Sequence, residues 1–557
     1  MIESSFEIGP KSEKIRQTLS SPFSLIVSPG SNQQMEKSTI PISQYPRCQF
    51  CESYYSHLCI NNEDGWVCSI CGKINKVEYP KNGPENDDFE FDVNENVGKE
   101  VTVIFLSLNF HNDDLKIIIS DLTKFINEVE ERNLMIVLGN GELPLMFLCP
   151  YDPCFECKDG FIKHIQNDDE QIDYEKLKML NAPIIRIFEK PKDFSKLIFE
   201  KKQFCTIINT LNNVTSMRGK YDCNEIYRVC ELLISQFQFS PIHFVSIIPG
   251  INQKPYKLNK FYSSMIRIDI LTPNLLTYTE PTVKILPGLF QLFNEDNLLR
   301  KLRYTLREKV PYQSYMKFHL TGCKASWKPN QYTLSFEDGN VLFAPIFINS
   351  STPFVLDIHT NGSSDNINIQ IVSRIFVYNE TQKNYKNILR VFNRKIKLSE
   401  NTDEIFSTMN LNSLIWLWIT RTLNNKPRDV IAGLYRNSAK LLDMINDEDN
   451  VKTKDLTSAS CSLNYYNIMN EDSNVRFQSR ILLCNTAPDE YLFIPKYEQD
   501  KGIAICCDTL YCDEKNEETE KLLNNNPMLN LSIPIPDWCK TPSPNNLSIL
   551  NRLRTKK

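Results

Sequence analysis

The sequence predicts a multidomain α+β protein, and three observations carry that prediction. At 557 residues the chain is too long for one hydrophobic core, so roughly three to five domains are expected. Two CxxC pairs lie between Pro46 and Pro80, the pattern of a small metal-stapled module. Beyond them the apolar pattern changes twice, first to strands alternating with helices and then to a run of short strands.

Composition narrows the class. Hydrophobic residues at 41% and charged residues at 24% are ordinary for a globular protein. A net charge of −5 excludes a uniformly basic nucleic-acid binder, although not a local basic face. The first residues, MIESSFEIGPKSEK, carry no secretory signal pattern, and no apolar run approaches the roughly 18–20 residues that span a bilayer. The 18 cysteines therefore read as reduced and cytosolic, and any membrane contact as peripheral.

The expected elements follow in chain order. Residues 1–45 include SPFSLIVSPG, where Phe23, Leu25 and Val27 alternate between Pro22 and Pro29–Gly30. That is a lone strand, which must join a sheet made later in the chain. Residues 46–81 hold the cysteine module, with Cys48 and Cys51 as one knuckle, Cys68 and Cys71 as the other, and sixteen residues between the pairs. Four thiolates at that spacing suit one tetrahedral structural Zn²⁺ with no position open for substrate. Residues 82–100 are acidic and polar and read as a linker. Residues 101–312 read as an α/β trunk. Its strands are expected at 101–110, 134–141, 242–250 and 266–273, and its helices from about Asp113, over Cys223–Phe237 and over Asp296–Lys309. Residues 313–400 carry five strand-like segments and read as an antiparallel β-sandwich. Residues 401–447 read as helical, with helices over Asp403–Leu423 and Asp429–Ile445, the second preceded by Pro427. Residues 448–557 read as a helical continuation in which SRILLCNTAPDEYLFIPKYEQ and GIAICCDTLYC read as strands.

At this point the residues resemble a family. RCxxC, Tyr54, Cys59, then WxCxxCxxxN (Trp66, Cys68, Cys71, Asn75) and Pro80 are similar to the zinc finger of the COPII inner-coat subunits, the Sec-twenty-three/Sec-twenty-four family. The domain order over most of 20–445 is similar too. The short N-terminal lead, Cys59 and the segment INIQIVSRIFVYNETQKNYKNILRVFNRKI look more like Sec-twenty-three, the GTPase-activating member. The tight RCxxC knuckle looks more like Sec-twenty-four, the cargo-selecting member. The resemblance implies a von Willebrand A-like trunk, a split β-sandwich and a degenerate gelsolin-like region within 448–557. It implies as partners a paralogous inner-coat subunit, a Sar-type small GTPase and outer-coat proteins, with peripheral contact to acidic membrane on the cytosolic face of the endoplasmic reticulum and no nucleic acid. The arginine finger such a family supplies to the GTPase has no identifiable counterpart; Arg552 and Arg554 lie in the last basic segment.

Other constellations are weaker. A von Willebrand A metal site needs an aspartate after the first strand, and FLSLNFHNDD has Ser107 there, so no Mg²⁺ cage is expected and Asp113 and Asp114 read as helix N-terminal charges. Cys149, Cys154 and Cys157, with His164 nearby, lack a fixed fourth ligand for a closed site; Cys506, Cys507 and Cys512 are weaker again. HExxH, GxSxG and phosphate-loop motifs are absent from the sequence, and no catalytic residue is assigned. His57 could act as a spare ligand, and His243 and His319 sit in strand patterns. Two basic clusters, Arg300–Lys309 and Lys383–Lys397, are candidates for an anionic membrane face. A zinc-ribbon nucleic-acid binder is the remaining alternative, and it requires exposed basic and aromatic residues around the knuckles.

Overall fold

The structure, a computed structural model, describes 1–77, 86–139, 146–148, 184–187, 198, 211, 224–250, 265–273, 290–293, 298–307, 312–328, 336–344 and 352–422, apart from 20, 32–34, 94–96, 129–132 and 238–239. Beyond these it describes single residues within 429–440 and 480–488, and the strands at 496–498, 503–507 and 529–533.

The trunk follows from its apolar runs. Val101–Ser107 is buried along its whole length and pairs in parallel with Asn133–Gly139 on one side and Ile242–Ile247 on the other. Ile266–Thr272 and Phe290–Leu292 extend the parallel sheet, while Met146–Leu148 and Ile184–Ile187 close the opposite edge antiparallel. Parallel strands need both faces covered. Ile104, Leu106, Ile136, Leu138, Val245 and Ile247 pack with helices Asn112–Glu128 and Leu298–Arg307. Val103, Phe105, Val137, Phe244 and Ile268 belong to the other face, with helix Asn224–Gln236, whose core runs on into the sandwich.

The sandwich is assembled from both ends of the chain. Its smaller sheet orders Ile2–Ser4, Ser24–Val27, Phe354–Thr360 and Cys323–Lys328, so the early strand does find its partner, Phe354–Thr360, more than three hundred residues later. The larger sheet is built on the long hairpin Asn366–Asn379 and Asn384–Ser399, with Tyr312–Leu320, Val341–Ala344 and Phe336–Asp338 on one flank. On the other flank lie Asp88–Val93 and Glu36–Lys37.

Asp88–Val93 corrects the expected linker at 82–100. DFEFDV places Phe89 and Phe91 in the core, while Asp88 and Glu90 pair with Arg394 and Arg390 of the hairpin. The acids hid a period-2 strand because their countercharges lie three hundred residues away.

The helix expected over Asp403–Leu423 is two helices, Thr402–Ser407 and Leu411–Thr422, divided where Asn410 accepts from Ser413 through its side chain and from Leu414 through its backbone. Leu411 and Ser413 through Thr420 are all buried, so this is a core helix without a polar face. The described residues between 429 and 440 are helical. Arg480, Leu483 and Cys484 are helical rather than extended, and Leu483 accepts at its carbonyl from Trp416 Nε1 at 3.0 Å. Lys496–Glu498, Ile503–Cys507 and Leu529–Ile533 form a small antiparallel sheet.

Candidate metal centre and the seam beneath it

The two knuckles repeat one local geometry. In the first, the Glu52 amide donates to Cys48 O at 2.9 Å and the Cys48 amide to Ser53 O at 2.8 Å; in the second, Gly72 donates to Cys68 O at 2.9 Å and Cys68 to Lys73 O at 3.0 Å. Each turn passes through a left-handed residue, Glu52 at φ 61° and Gly72 at φ 71°. Glycine adopts that conformation without strain; Glu52 is held there with its carboxylate 3.0 Å from Lys317 Nζ. Three short strands, Ile60–Asn62, Gly65–Val67 and Ile74–Asn75, bring the knuckles together. Gly65 is required at the hairpin: its φ is +137°, and a Cβ there would lie 2.1 Å from Asn75 O.

The result is a four-sulfur cluster. All four ligand atoms lie within 4.8 Å of one another, with Cys48–Cys71 at 3.5 Å and Cys51–Cys68 at 3.6 Å. A tetrahedron with Zn–S bonds of about 2.3 Å has edges of about 3.8 Å, so the set is compatible with one zinc ion. Among the described residues no other group of three or more metal-capable side chains converges.

The surroundings offer hydrogen bonds to the sulfurs. Asn75, buried, donates from Nδ2 to Cys48 Sγ at 3.5 Å and accepts at Oδ1 from the Gln49 amide at 2.9 Å. The Ser53 hydroxyl lies 3.2 Å from both Cys51 and Cys68 sulfurs, and the Ile70 amide donates to Cys68 Sγ at 3.4 Å. Burial opposes ionisation of Cys48, but the Phe50 and Cys51 amides with Asn75 bring its thiol down to about 7. Cys71 is pushed up to about 12, by burial first and then by the neighbouring sulfurs. One thiolate thus resists the next, a conflict that a dication removes.

The finger has little core of its own. Trp66 is fully buried and meets Tyr55 edge-on at 5.4 Å, and Tyr45 and Tyr54 pack against Phe89 and Phe91 of the sandwich. Val372, Leu389 and Val391 of the long hairpin complete this cluster. Gln370 clamps the seam: its Oε1 accepts from the Tyr54 amide at 2.6 Å, and its Nε2 donates to Tyr54 O at 2.9 Å and Asn393 Oδ1 at 2.8 Å. Asn368 adds a bond to Ser69 O at 2.9 Å. Tyr54 and Trp66 are packing residues, so they offer no stacking surface to nucleic acid. The sequence had no signal for Gln370, because its partner is backbone three hundred residues away.

Other expected sites fall differently. Cys59 is buried beside Ser56 and Ser69, outside the four-sulfur cluster. His57 bonds Asp87 at 2.6 Å instead of joining the metal set. His243 bonds Asp269 at 2.7 Å, and the same carboxylate takes Arg267 at 2.9 Å. Burial lowers the proton affinity of His243, with Asp269 opposing. Ser107 ends the first trunk strand, buried, and accepts from the Asn109 amide at 3.3 Å; Asp113 is exposed in the following first helical turn. Cys149, Cys154, Cys157, His164, Cys512, Arg552 and Arg554 lie outside the described residues, as do the side chains of Cys506 and Cys507.

The two basic clusters are corrected. Arg390 is buried, ion-paired to Glu90 at 3.1 Å, and donates to Pro29 O and Ser31 O at 2.7 Å each, pinning the N-terminal loop. Arg394 pairs with Asp88 and Arg303 with Glu128 in bidentate fashion, and Lys301 is buried. Among the described residues, Arg303, Arg390, Arg394 and Lys397 are each one side of an ion pair within the chain, while Arg300, Lys383 and Lys395 are exposed.

No protein-family model matches the sequence, and no curated protein matches it. Among solved structures, that of the human COPII-coat protein Sec24c is similar, with a TM-score of 0.63 at 10% identity, covering 89% of this chain and 75% of that chain. The chain therefore shares the fold of a COPII-coat protein. The ArnB paralog VWA2 from Sulfolobus acidocaldarius overlaps with a TM-score of 0.39 at 11% identity, over 71% of this chain and 90% of that one, too little to carry an assignment.

Proposed function

We propose that this chain is an inner-layer subunit of a COPII-type vesicle coat, with one structural Zn²⁺ held by Cys48, Cys51, Cys68 and Cys71. The observation that carries the reading is the fold shared with Sec24c over 89% of the chain. The zinc finger docked on a sandwich split between both ends of the chain supports it. In this role the trunk pairs with a paralogous coat subunit, and the chain engages a Sar-type GTPase and outer-coat proteins at the cytosolic face of the endoplasmic reticulum. No catalytic residue is assigned to the chain itself; the function lies on its surfaces. Pull-down with a GTP-loaded Sar-type GTPase tests this, and lack of capture together with no binding of cargo sorting peptides, under conditions that retain zinc, would sink it. Single-turnover GTP hydrolysis, repeated with Arg552→Ala and Arg554→Ala, tests a GTPase-activating role. A cargo-selecting role is the second reading, favoured by the RCxxC knuckle and by Sec24c being the similar structure; direct binding of cargo sorting peptides without GTPase capture decides for it.

A further inference from the structure

Among the described residues, the large apolar side chains left exposed are Phe50 (55%), Ile60 (69%), Ile74 (52%) and Val77 (41%), and all four belong to the finger. Their placement is ordered. Ile60 and Ile74 occupy the two outer strands of the finger sheet, and both stand opposite Val67 on the middle strand. Successive side chains of a strand face opposite ways, so this aliphatic row lies on the face away from buried Trp66. Phe50, at the tip of the first knuckle, is tied to the same region by Lys73, whose Nζ sits 4.4 Å from the ring centroid.

The charges around the row are uneven. Lys73 and Lys76 bracket Ile74, both are exposed, and neither has an ion pair among the described residues. The acid beside the first knuckle, Glu52, is taken by Lys317. Glu63 and Asp64 sit in the hairpin turn, at the far end of the strands from Ile60 and Val67. Elsewhere, Arg303, Arg390 and Arg394 of the two basic clusters are paired with acids of the chain itself.

We propose that this face of the finger inserts into the surface of an anionic lipid bilayer, with Phe50, Ile60 and Ile74 entering the headgroup–acyl boundary and Lys73 and Lys76 meeting acidic headgroups. A few apolar side chains flanked by lysines match that boundary, where apolar burial and electrostatic attraction add. The patch is narrow for a stable protein interface, which takes roughly 20–30 residues a side. The inference rests on the coat reading for the presence of a membrane, and it names a contact that reading leaves open.

The test is co-sedimentation of the full chain with phosphatidylcholine vesicles, with and without phosphatidylserine. The expected result is binding to the acidic vesicles, weakened roughly tenfold or more when Phe50→Ser, Ile60→Ser and Ile74→Ser are combined. Lys73→Glu with Lys76→Glu should weaken binding and flatten its salt dependence. Zinc content and thermal unfolding check that these surface changes leave the finger folded. Should the triple variant lose zinc, Ile60→Trp gives a readout without truncation: a blue shift of its emission on adding acidic vesicles supports insertion, and no shift overturns it. Equal sedimentation of the parent chain and a folded triple variant also overturns the proposal. So does self-association by ultracentrifugation that the triple variant abolishes while vesicle binding stays unchanged, which would make the face a contact between copies. GTPase capture on the same variants separates the two readings: lost vesicle binding with retained capture supports insertion, whereas vesicle binding through this face with neither GTPase capture nor cargo-peptide binding supports insertion and sinks the coat reading.

Discussion

The trunk and the finger solve the same problem, burying enough apolar surface, by opposite means. The trunk covers one face of its sheet with its own helices: Leu115, Ile118, Leu122 and Ile126 pack on Ile104, Leu106 and Ile136. The finger has strands of two and three residues, and borrows Phe89, Phe91, Val372, Leu389 and Val391 from the sandwich for its core. A module this small cannot hold itself together by burial alone. On the proposed zinc reading its stability has two further sources, a metal held by the four cysteines and the seam, and each can be removed separately.

The largest expected effect comes from the thiolates. Cys48→Ser with Cys71→Ser should abolish binding of one zinc per chain. Structural zinc contributes an apparent ~10–16 kcal/mol in isolated fingers, so the module should open while the trunk persists. Hydrogen exchange checks this: amides of 48–75 should exchange fast, and those of Val101–Ser107 should stay protected. Simultaneous loss of both would show that the trunk depends on the metal too, and the contrast would fail.

Leu122→Ala breaks the comparison from the other side. Leu122 is fully buried between helix and sheet, and truncation should cost about 2–5 kcal/mol. Chemical denaturation should show a weakened trunk, while zinc stoichiometry stays at one. The seam comes next in size. Gln370→Leu removes the partner of both the Tyr54 amide and its carbonyl and leaves Asn393 short of a donor. Each buried group left unpaired costs about 1–3 kcal/mol. The variant should lose zinc to a chelator faster than the parent although no ligand has changed; equal release rates would mean the metal alone holds the finger.

These regions were unequally legible in the sequence. The cysteine spacing pointed to a four-ligand set because the chemistry is local, and the trunk strands were visible because a strand buried on both faces is apolar along its whole length. Asp88–Val93 reads as linker because Asp88, Glu90 and Asp92 outnumber Phe89 and Phe91, and the cations that make those acids tolerable, Arg390, Arg394 and Lys37, lie elsewhere in the chain. The same pairing removes Arg390 and Arg394 from the membrane face expected at Lys383–Lys397. Leu411–Thr422 ran together with its neighbour because a helix buried all round has no stripe to mark its ends. What local pattern could not supply was the partner across the fold.

Acid gives the smallest effect and sharpens the contrast, because the trunk and the seam each hold a buried histidine. In the trunk, His243 has Asp269 as a partner, which opposes the effect of burial. At the seam, His319 stands opposite Gln370 in the sheet register, and its pKa is lowered to about 4, by burial and then by Lys317, with Glu52 opposing. An unfolded histidine takes its proton near 6.5. Above that pH neither state is protonated at this site and its contribution to stability is fully present. As pH falls from about 6.5 towards about 4 the unfolded chain binds the proton and the folded one resists, so stability declines by up to about 1.4 kcal/mol per pH unit. Urea unfolding of His319→Gln and the parent chain across this window checks it. The parent should lose more stability than the variant, and the extra loss should appear in finger amides before trunk amides by hydrogen exchange. Parallel pH profiles for the two proteins would show that His319 is not strained by its site.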